Sequence, residues 1–301
     1  MTRKSVFFLM IGVMVIVTSC QFKTKNVIWN TAEVDGERLI YIKINDTNTK
    51  PWKAFDDLRQ KRTLPSNFTV IEFAKNGNLA VGLIFEKENP LYFQGLPAFF
   101  DMKTNTIKSC LDAPLFWDIS MHSTNESSVL VIGDTFDGLI LFDIKSCQTL
   151  KVIQEKEQLR SLSGISWNAE MDLIAYSKRN DDGVFQIFSI DLDGALNEVV
   201  GQGNYPSWSP NGEQIAFATD DKTLIIKRLE NYEIVTFKLP EGLRLTFDKF
   251  SWSSDGSRIA FSAEKTESDG STSFQIFILN LMTLKVEGLG VGGRSPAWVY
   301  D

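Results

Sequence analysis

At 301 residues, 43% of them hydrophobic, the chain can bury a substantial core, and nothing in its composition suggests disorder. Its 31 basic side chains are outnumbered by 38 acidic ones, for a net charge of −7. That balance argues against a nucleic-acid partner, because phosphate binding needs a basic patch, and leaves a basic protein or a cation open.

The first element is an export signal. Arg3 and Lys4 precede an apolar run over residues 6–17, VFFLMIGVMVIV, which is short of the roughly 20 residues a membrane-spanning helix needs. Residues 17–20, Val-Thr-Ser-Cys, resemble the bacterial lipobox. The resemblance implies cleavage before Cys20, lipidation of Cys20, and stable membrane anchoring by two or three acyl chains. Gln21 stands where an Asp would retain an enteric-type lipoprotein at the inner membrane, so the outer membrane is favoured if the host is Gram-negative. The expected division is a signal peptide over 1–19, the lipidated cysteine and a short tether over 20–26, and one folded unit over 27–301.

Beyond the tether the chain repeats itself. Residues 29–41, WNTAEVDGERLIY, are a loose copy. Residues 71–81, IEFAKNGNLAV, and 119–132, ISMHSTNESSVLVI, are clearer, with Phe73 and Met121 in the leading position. Three strong copies follow: ISWNAEMDLIAYS over 165–177, YPSWSPNGEQIAFATD over 205–220 and FSWSSDGSRIAFSA over 250–263. The end of the chain, SPAWVYD, supplies Trp298. In the strong copies the interval from Trp to Ile is constant: 167 to 174, 208 to 215 and 252 to 259. A period of about 40–50 residues, with several short strands in each unit, is the pattern of propeller blades.

Each repeat has a physical reading. The Trp is a wedge between neighbouring sheets. Pro-Asn-Gly at 210–212 and Ser-Asp-Gly at 254–256 make tight turns. The Ile-Ala-aromatic strand alternates large and small side chains, which suits close sheet packing. Acidic, glycine-bearing turns then lead to third strands over 139–144, 185–190 and 274–279, and fourth strands such as 149–153 and 233–239. The expected fold is therefore all-β: a propeller of six four-stranded blades, with Trp29 aligned as a wedge. The C-terminal strand around Trp298 completes the blade begun at the N-terminus and so removes exposed edges. Seven blades would follow if Trp29 is not a wedge and a further unit is hidden near 45–70.

The 205–217 and 250–261 copies resemble the PD40 repeat of the TolB-like propellers, roughly Pro-x-Trp-Ser-Pro-Asp-Gly followed by Ile-Ala-Phe. The resemblance covers most of residues 27–301 and is specific in the C-terminal half. TolB itself has a further N-terminal domain and a non-lipid signal, whereas here the repeats begin almost directly after Cys20. The resemblance therefore implies the propeller and not TolB's role.

Catalytic patterns are scarce. His122 is the one histidine, and a Ser-His-Asp triad or a zinc site would need more than the sequence offers around it. No nucleophile elbow or phosphate-binding glycine pattern occurs. Asp181-Asp182-Gly183 and Asp220-Asp221 carry oxygen ligands suited to calcium, but they fall where turn chemistry alone favours Asp and Gly, and no metal or other cofactor is expected. Cys110 and Cys147 lie near the outer edges of successive blades, either bonded to one another or as free buried thiols.

Turns between second and third strands share a face with the loops that link blades. That face carries Asp134, Asp137, Asp181, Asp182, Asp220, Asp221 and Asp269, with Tyr205, Arg244 and Arg294 from the linking loops. The rim would capture a basic envelope protein or peptide. The expected protein is a monomeric, non-enzymatic interaction module held at the bacterial envelope. The competing readings are a carbohydrate-active enzyme using channel carboxylates, or a glycan binder stacking sugar on Trp52, Trp117 or Tyr205.

Overall fold

The constant Trp-to-Ile interval is a hairpin register. Trp167 lies opposite Ile174, Trp208 opposite Ile215 and Trp252 opposite Ile259. The intervening turn closes with Gly212 N–H donating to the Ser209 carbonyl at 3.0 Å. Gly212 sits at φ 71°, a left-handed conformation that a residue with a Cβ adopts only with strain.

The computed structural model describes residues 27–43, 63–64, 68–74, 77–85, 94–124, 128–155, 162–168, 171–246 and 248–299. Strands β1 (Val27–Val34) and β2 (Glu37–Lys43) form a hairpin, with β3 (Thr63–Leu64) outside β1. Blade 1 is β4 (Phe68–Phe73), β5 (Leu79–Ile84), β6 (Leu96–Asp101) and β7 (Thr106–Ser109). Blade 2 is β8 (Phe116–Thr124), β9 (Val129–Thr135), β10 (Gly138–Asp143) and β11 (Gln148–Glu155). Blade 3 is β12 (Leu162–Asn168), β13 (Leu173–Arg179), β14 (Phe185–Asp191) and β15 (Leu196–Gln202). Blade 4 is β16 (Asn204–Trp208), β17 (Gln214–Ala218), β18 (Thr223–Arg228) and β19 (Ile234–Lys238). The last strands are β20 (Leu243–Leu245), β21 (Ser251–Trp252), β22 (Arg258–Thr266), β23 (Thr272–Asn280) and β24 (Lys285–Val299). All pairings are antiparallel, as the all-β expectation required.

The long β24 serves twice. Its residues 285–292 pair with β23 as the outer strand of blade 5, and residues 293–299 pair with β2 as the inner strand of blade 6. One eight-stranded sheet therefore holds two blades. Inner strands touch in sequence around the axis: β24 meets β4, then come β8, β12, β16 and β21, and β21 meets β24 again. The ring is closed by six units among the described residues.

One expectation is corrected here. Trp29 is not a wedge: it lies on β1, third from the axis, opposite Ile42. In the N-terminal blade the wedge is Trp298, opposite Leu39, so the buried Leu39-Ile40-Tyr41 takes the place of Ile-Ala-aromatic. The chain enters this blade at the third strand and turns inward. Residues 29–41 read as a repeat because a hairpin pattern does not state which of its strands will meet a partner some 260 residues away.

The core lies between the blades. Trp252, Ile259 and Phe261 pack on Ala216 and Ile226, and Trp208 and Phe217 pack on Ala175 and Ile187. Small residues in the second strand let adjacent sheets approach. Gly133 is the extreme case: a Cβ there would lie 2.0 Å from the ring of Phe116, which is fully buried and edge-on to Phe142 at 5.4 Å. Gly133→Ala is expected to lower stability by about 2–3 kcal/mol, since the ring has nowhere to go. Chemical denaturation checks this, and a loss below about 0.5 kcal/mol would mean that the ring relocates freely.

Candidate functional site: the axial channel and the rim

Before five of the six wedges, the preceding residue ties its blade to the next. Glu72 Oε2 accepts from Met121 N at 3.2 Å. Ser120 Oγ accepts from Trp167 N, and Ser166 Oγ from Trp208 N, both at 3.0 Å. Ser251 Oγ accepts from Trp298 N at 2.9 Å. At the next junction, Ser207 Oγ donates to the Phe250 carbonyl at 2.8 Å and Trp252 Nε1 donates to the Ser207 carbonyl at 3.1 Å. Where blade 6 meets blade 1 the residue before the wedge is Ala297, and the contact with Phe73 is apolar. The Ser-Trp pairs at 166–167, 207–208 and 251–252 are the sequence signal for this latch, and sequence reasoning passed over it in favour of the residue after the Trp.

The same inner positions line an axial cavity of about 130 Å³. Lys249 of blade 5 reaches across the axis. Its Nζ donates to the Ile119 carbonyl of blade 2 at 2.6 Å and pairs with Glu72 Oε2 of blade 1 at 3.2 Å. Asp118 of blade 2 accepts from Ile119 N at 2.8 Å and from Ile165 N of blade 3 at 2.9 Å. Burial pushes the Asp118 carboxyl above its ordinary range, against the pull of Lys249 and the two backbone donors. These three charged residues come from three distant repeats, and no local pattern marks them.

The rim residues are scattered around one face. Asp134 is buried, on β9. Asp137, Asp181 and Asp182 are exposed in their turns. The backbone of the 180–184 turn is held by Asn180, whose Oδ1 accepts from Val184 N at 2.9 Å. Asp220 accepts from Lys222 N at 2.7 Å and Asp269 from Ser271 N at 2.9 Å, each within its own turn. Asp221 and Arg244 are brought together at 3.6 Å. Arg294 makes a forked pair with Asp248, both contacts 3.0 Å, and Tyr205 is a partly buried neighbour of the core between blades 4 and 5. Among the described residues, no three His, Cys, Asp or Glu side chains converge as metal ligands. His122 belongs to β8. Trp52 and Cys20 lie outside the described residues. Trp117 is exposed.

Cys110 and Cys147 form a disulfide, with Cα atoms 5.3 Å apart. Cys110 follows the outer strand β7 of blade 1, and Cys147 sits in the turn between β10 and β11 of blade 2. The bond therefore staples adjacent blades at their outer edges.

The family model that matches is the anaphase-promoting complex subunit 4 WD40 domain, over residues 206–273, the stretch with the two strongest repeats. No curated protein matches the chain in sequence. Among solved structures it is similar to TolB from Acinetobacter baumannii, with a TM-score of 0.60 and 13% identity over 92% of this chain and 67% of that one. A putative TolB from Agrobacterium tumefaciens gives 0.55 and 14% over 77% and 84%. A chain of a nidogen/laminin complex gives 0.58 and 9% over 91% and 98%. At such identities the likeness is one of fold. The chain folds as a β-propeller, similar in fold to these TolB structures, whose last strand closes the ring onto its first hairpin.

Proposed function

We propose that this protein is a non-enzymatic interaction module of the bacterial envelope, held there by lipid on Cys20 and binding a basic protein or peptide on its rim. The observation that carries the reading is the crossing of the axis by Lys249. Its ties to Glu72 and Ile119 leave a cavity of about 130 Å³, whereas small-molecule sites occupy roughly 300–1,000 Å³. Glu72, the carboxylate that lines this cavity, is engaged by Lys249, and nearby Asp118 by two backbone donors. What the fold offers a partner is its surface, and exposed aspartates recur on one face of it.

Under this reading that face looks toward the membrane. Val27 starts β1 beside Lys43, which is level with Gly293 and Arg294 on the rim side. The seven residues 20–26 span at most about 25 Å.

Two experiments test the proposal. Cys20→Ser is expected to move the protein from the membrane fraction to the soluble one; retention on membranes would defeat the lipid anchor. Reversing Asp137, Asp181 and Asp182 to Lys is expected to abolish crosslinked capture of the wild-type protein's envelope partner. Undiminished capture would reject the acidic rim.

A further inference from the structure

On blade 2 the rim face displays exposed apolar side chains. Leu111, Leu115, Trp117 and Phe136 are 76%, 43%, 39% and 64% exposed. The β8–β9 register places three of them together: Phe116 lies opposite Thr135, so Leu115, Trp117 and Phe136 flank one pair, and Trp117 is the extra residue of a bulge between Phe116 and Asp118. Leu111 stands at the far end of the same loop, beside the Cys110–Cys147 bond. A bulge turns a side chain out of the regular pleat.

The loop that carries Leu111 and Leu115 is held at both ends. Cys110 is fixed by the disulfide and by its N–H to the Pro97 carbonyl at 3.2 Å. Phe116 and Gly95 exchange two backbone hydrogen bonds, each 2.9 Å, and Ala113 N turns back onto the Cys110 carbonyl at 3.3 Å. Apolar side chains on a backbone this constrained are preorganised for contact, which lowers the entropy lost on binding.

Charge indicates the occupant. Asp112 follows Leu111 and Asp137 follows Phe136, both exposed, and neither 110–117 nor 134–138 contains a Lys or Arg. We propose that residues 111–117 and the 136–137 turn form a docking patch for a peptide segment whose apolar side chains are flanked by Lys or Arg. The apolar side chains sit among Leu111, Leu115, Trp117 and Phe136, and the cations face Asp112 and Asp137. This deepens the rim reading, on which it rests, by naming the anchoring side chains and the peptide chemistry they accept.

The test uses the full chain in mild detergent and synthetic peptides of equal length, read by fluorescence anisotropy. One peptide alternates Lys with Leu and Trp, and one alternates Lys with Ser. The variant combines Phe136→Ser with Leu111→Glu, two well-exposed positions that leave the core alone. The Lys/Leu/Trp peptide is expected to bind wild type at least tenfold more tightly than the variant, while Lys/Ser binding changes less than twofold. Equal affinity of wild type and variant for the Lys/Leu/Trp peptide overturns the patch. If only the Lys/Ser peptide binds, the rim reading stands and the patch falls. If only the Lys/Leu/Trp peptide binds, and loses affinity in the variant, the patch stands and purely electrostatic capture falls. A variant that loses sedimentation with phosphatidylcholine vesicles but keeps both peptides makes these residues a membrane contact and overturns the proposal.

Discussion

Lys249→Met is expected to lower stability by about 3 kcal/mol at neutral pH, the range measured when one partner of a buried ion pair is removed. Lys249 is one-fifth exposed and Glu72 less than a third, so solvent screens the pair only weakly. Removing the cation leaves Asp118 without the charge that offsets its burial, and leaves the Ile119 carbonyl without its donor. The sign with pH follows from burial. A carboxyl whose folded pKa is raised binds its proton more tightly in the folded state, so its contribution is full below the unfolded value near 4 and is lost as pH climbs through the raised one. Without Lys249 that raise grows, and the deficit should be larger at pH 7 than at pH 5. Adding Asp118→Asn to Lys249→Met should restore part of the loss. Denaturant titrations at the two pH values check all three statements. A cost under 1 kcal/mol, or one that shrinks as pH rises, would show that the axial cluster is not held as described.

Breaking the Cys110–Cys147 bond is expected to cost about 4 kcal/mol, from the entropy of closing a loop of 37 residues in the unfolded chain. Cys110→Ala with Cys147→Ala introduces no buried charge, so the loss reflects the crosslink and the small volume removed. The damage should concentrate at the first two blades, where Ala74, Leu83, Phe116 and Phe142 share one cluster with Cys110. Guanidinium unfolding of the double variant against the oxidised protein measures the loss, and hydrogen exchange locates it. A difference below 1 kcal/mol, or protection lost first near blades 4 and 5, would contradict this.

The legible and illegible parts of the fold divide by distance along the chain. Trp208 and Ile215 pair across a turn of a few residues, so turn chemistry at Asn211 and Gly212 and the alternation of Ile215, Ala216 and Phe217 suffice to read the hairpin. Even the degenerate copies hold their places, and Phe73 and Met121 are buried on inner strands as the spacing requires. Trp29 misleads because its hairpin is sound and only its order within the blade is reversed. The disulfide stayed open because the approach of two outer edges depends on the twist of two sheets, which local pattern does not state.

The site follows the same division. Single aspartates in turns could be assigned to a face from the repeat alone, but whether each reaches solvent could not: Asp134 is buried while Asp137, three residues on, is exposed. Arg294 is held by Asp248, a pairing made across 46 residues that no local pattern announces.

The sequence by itself determined the repeat, the hairpin register and the all-β class, because these rest on short-range turns and on periodic burial, and it pointed to closure of the ring by the segment around Trp298 through the recurrence of the wedge there. Only the tertiary structure decided that Lys249 spans the axis to Glu72 and Ile119, that Leu39 rather than Trp29 meets the closing strand, and that Cys110 reaches Cys147. The first and last of these contacts join different blades and the second joins the two ends of the repeat array, so their geometry exists only once the ring has closed and the blades have settled at their common twist.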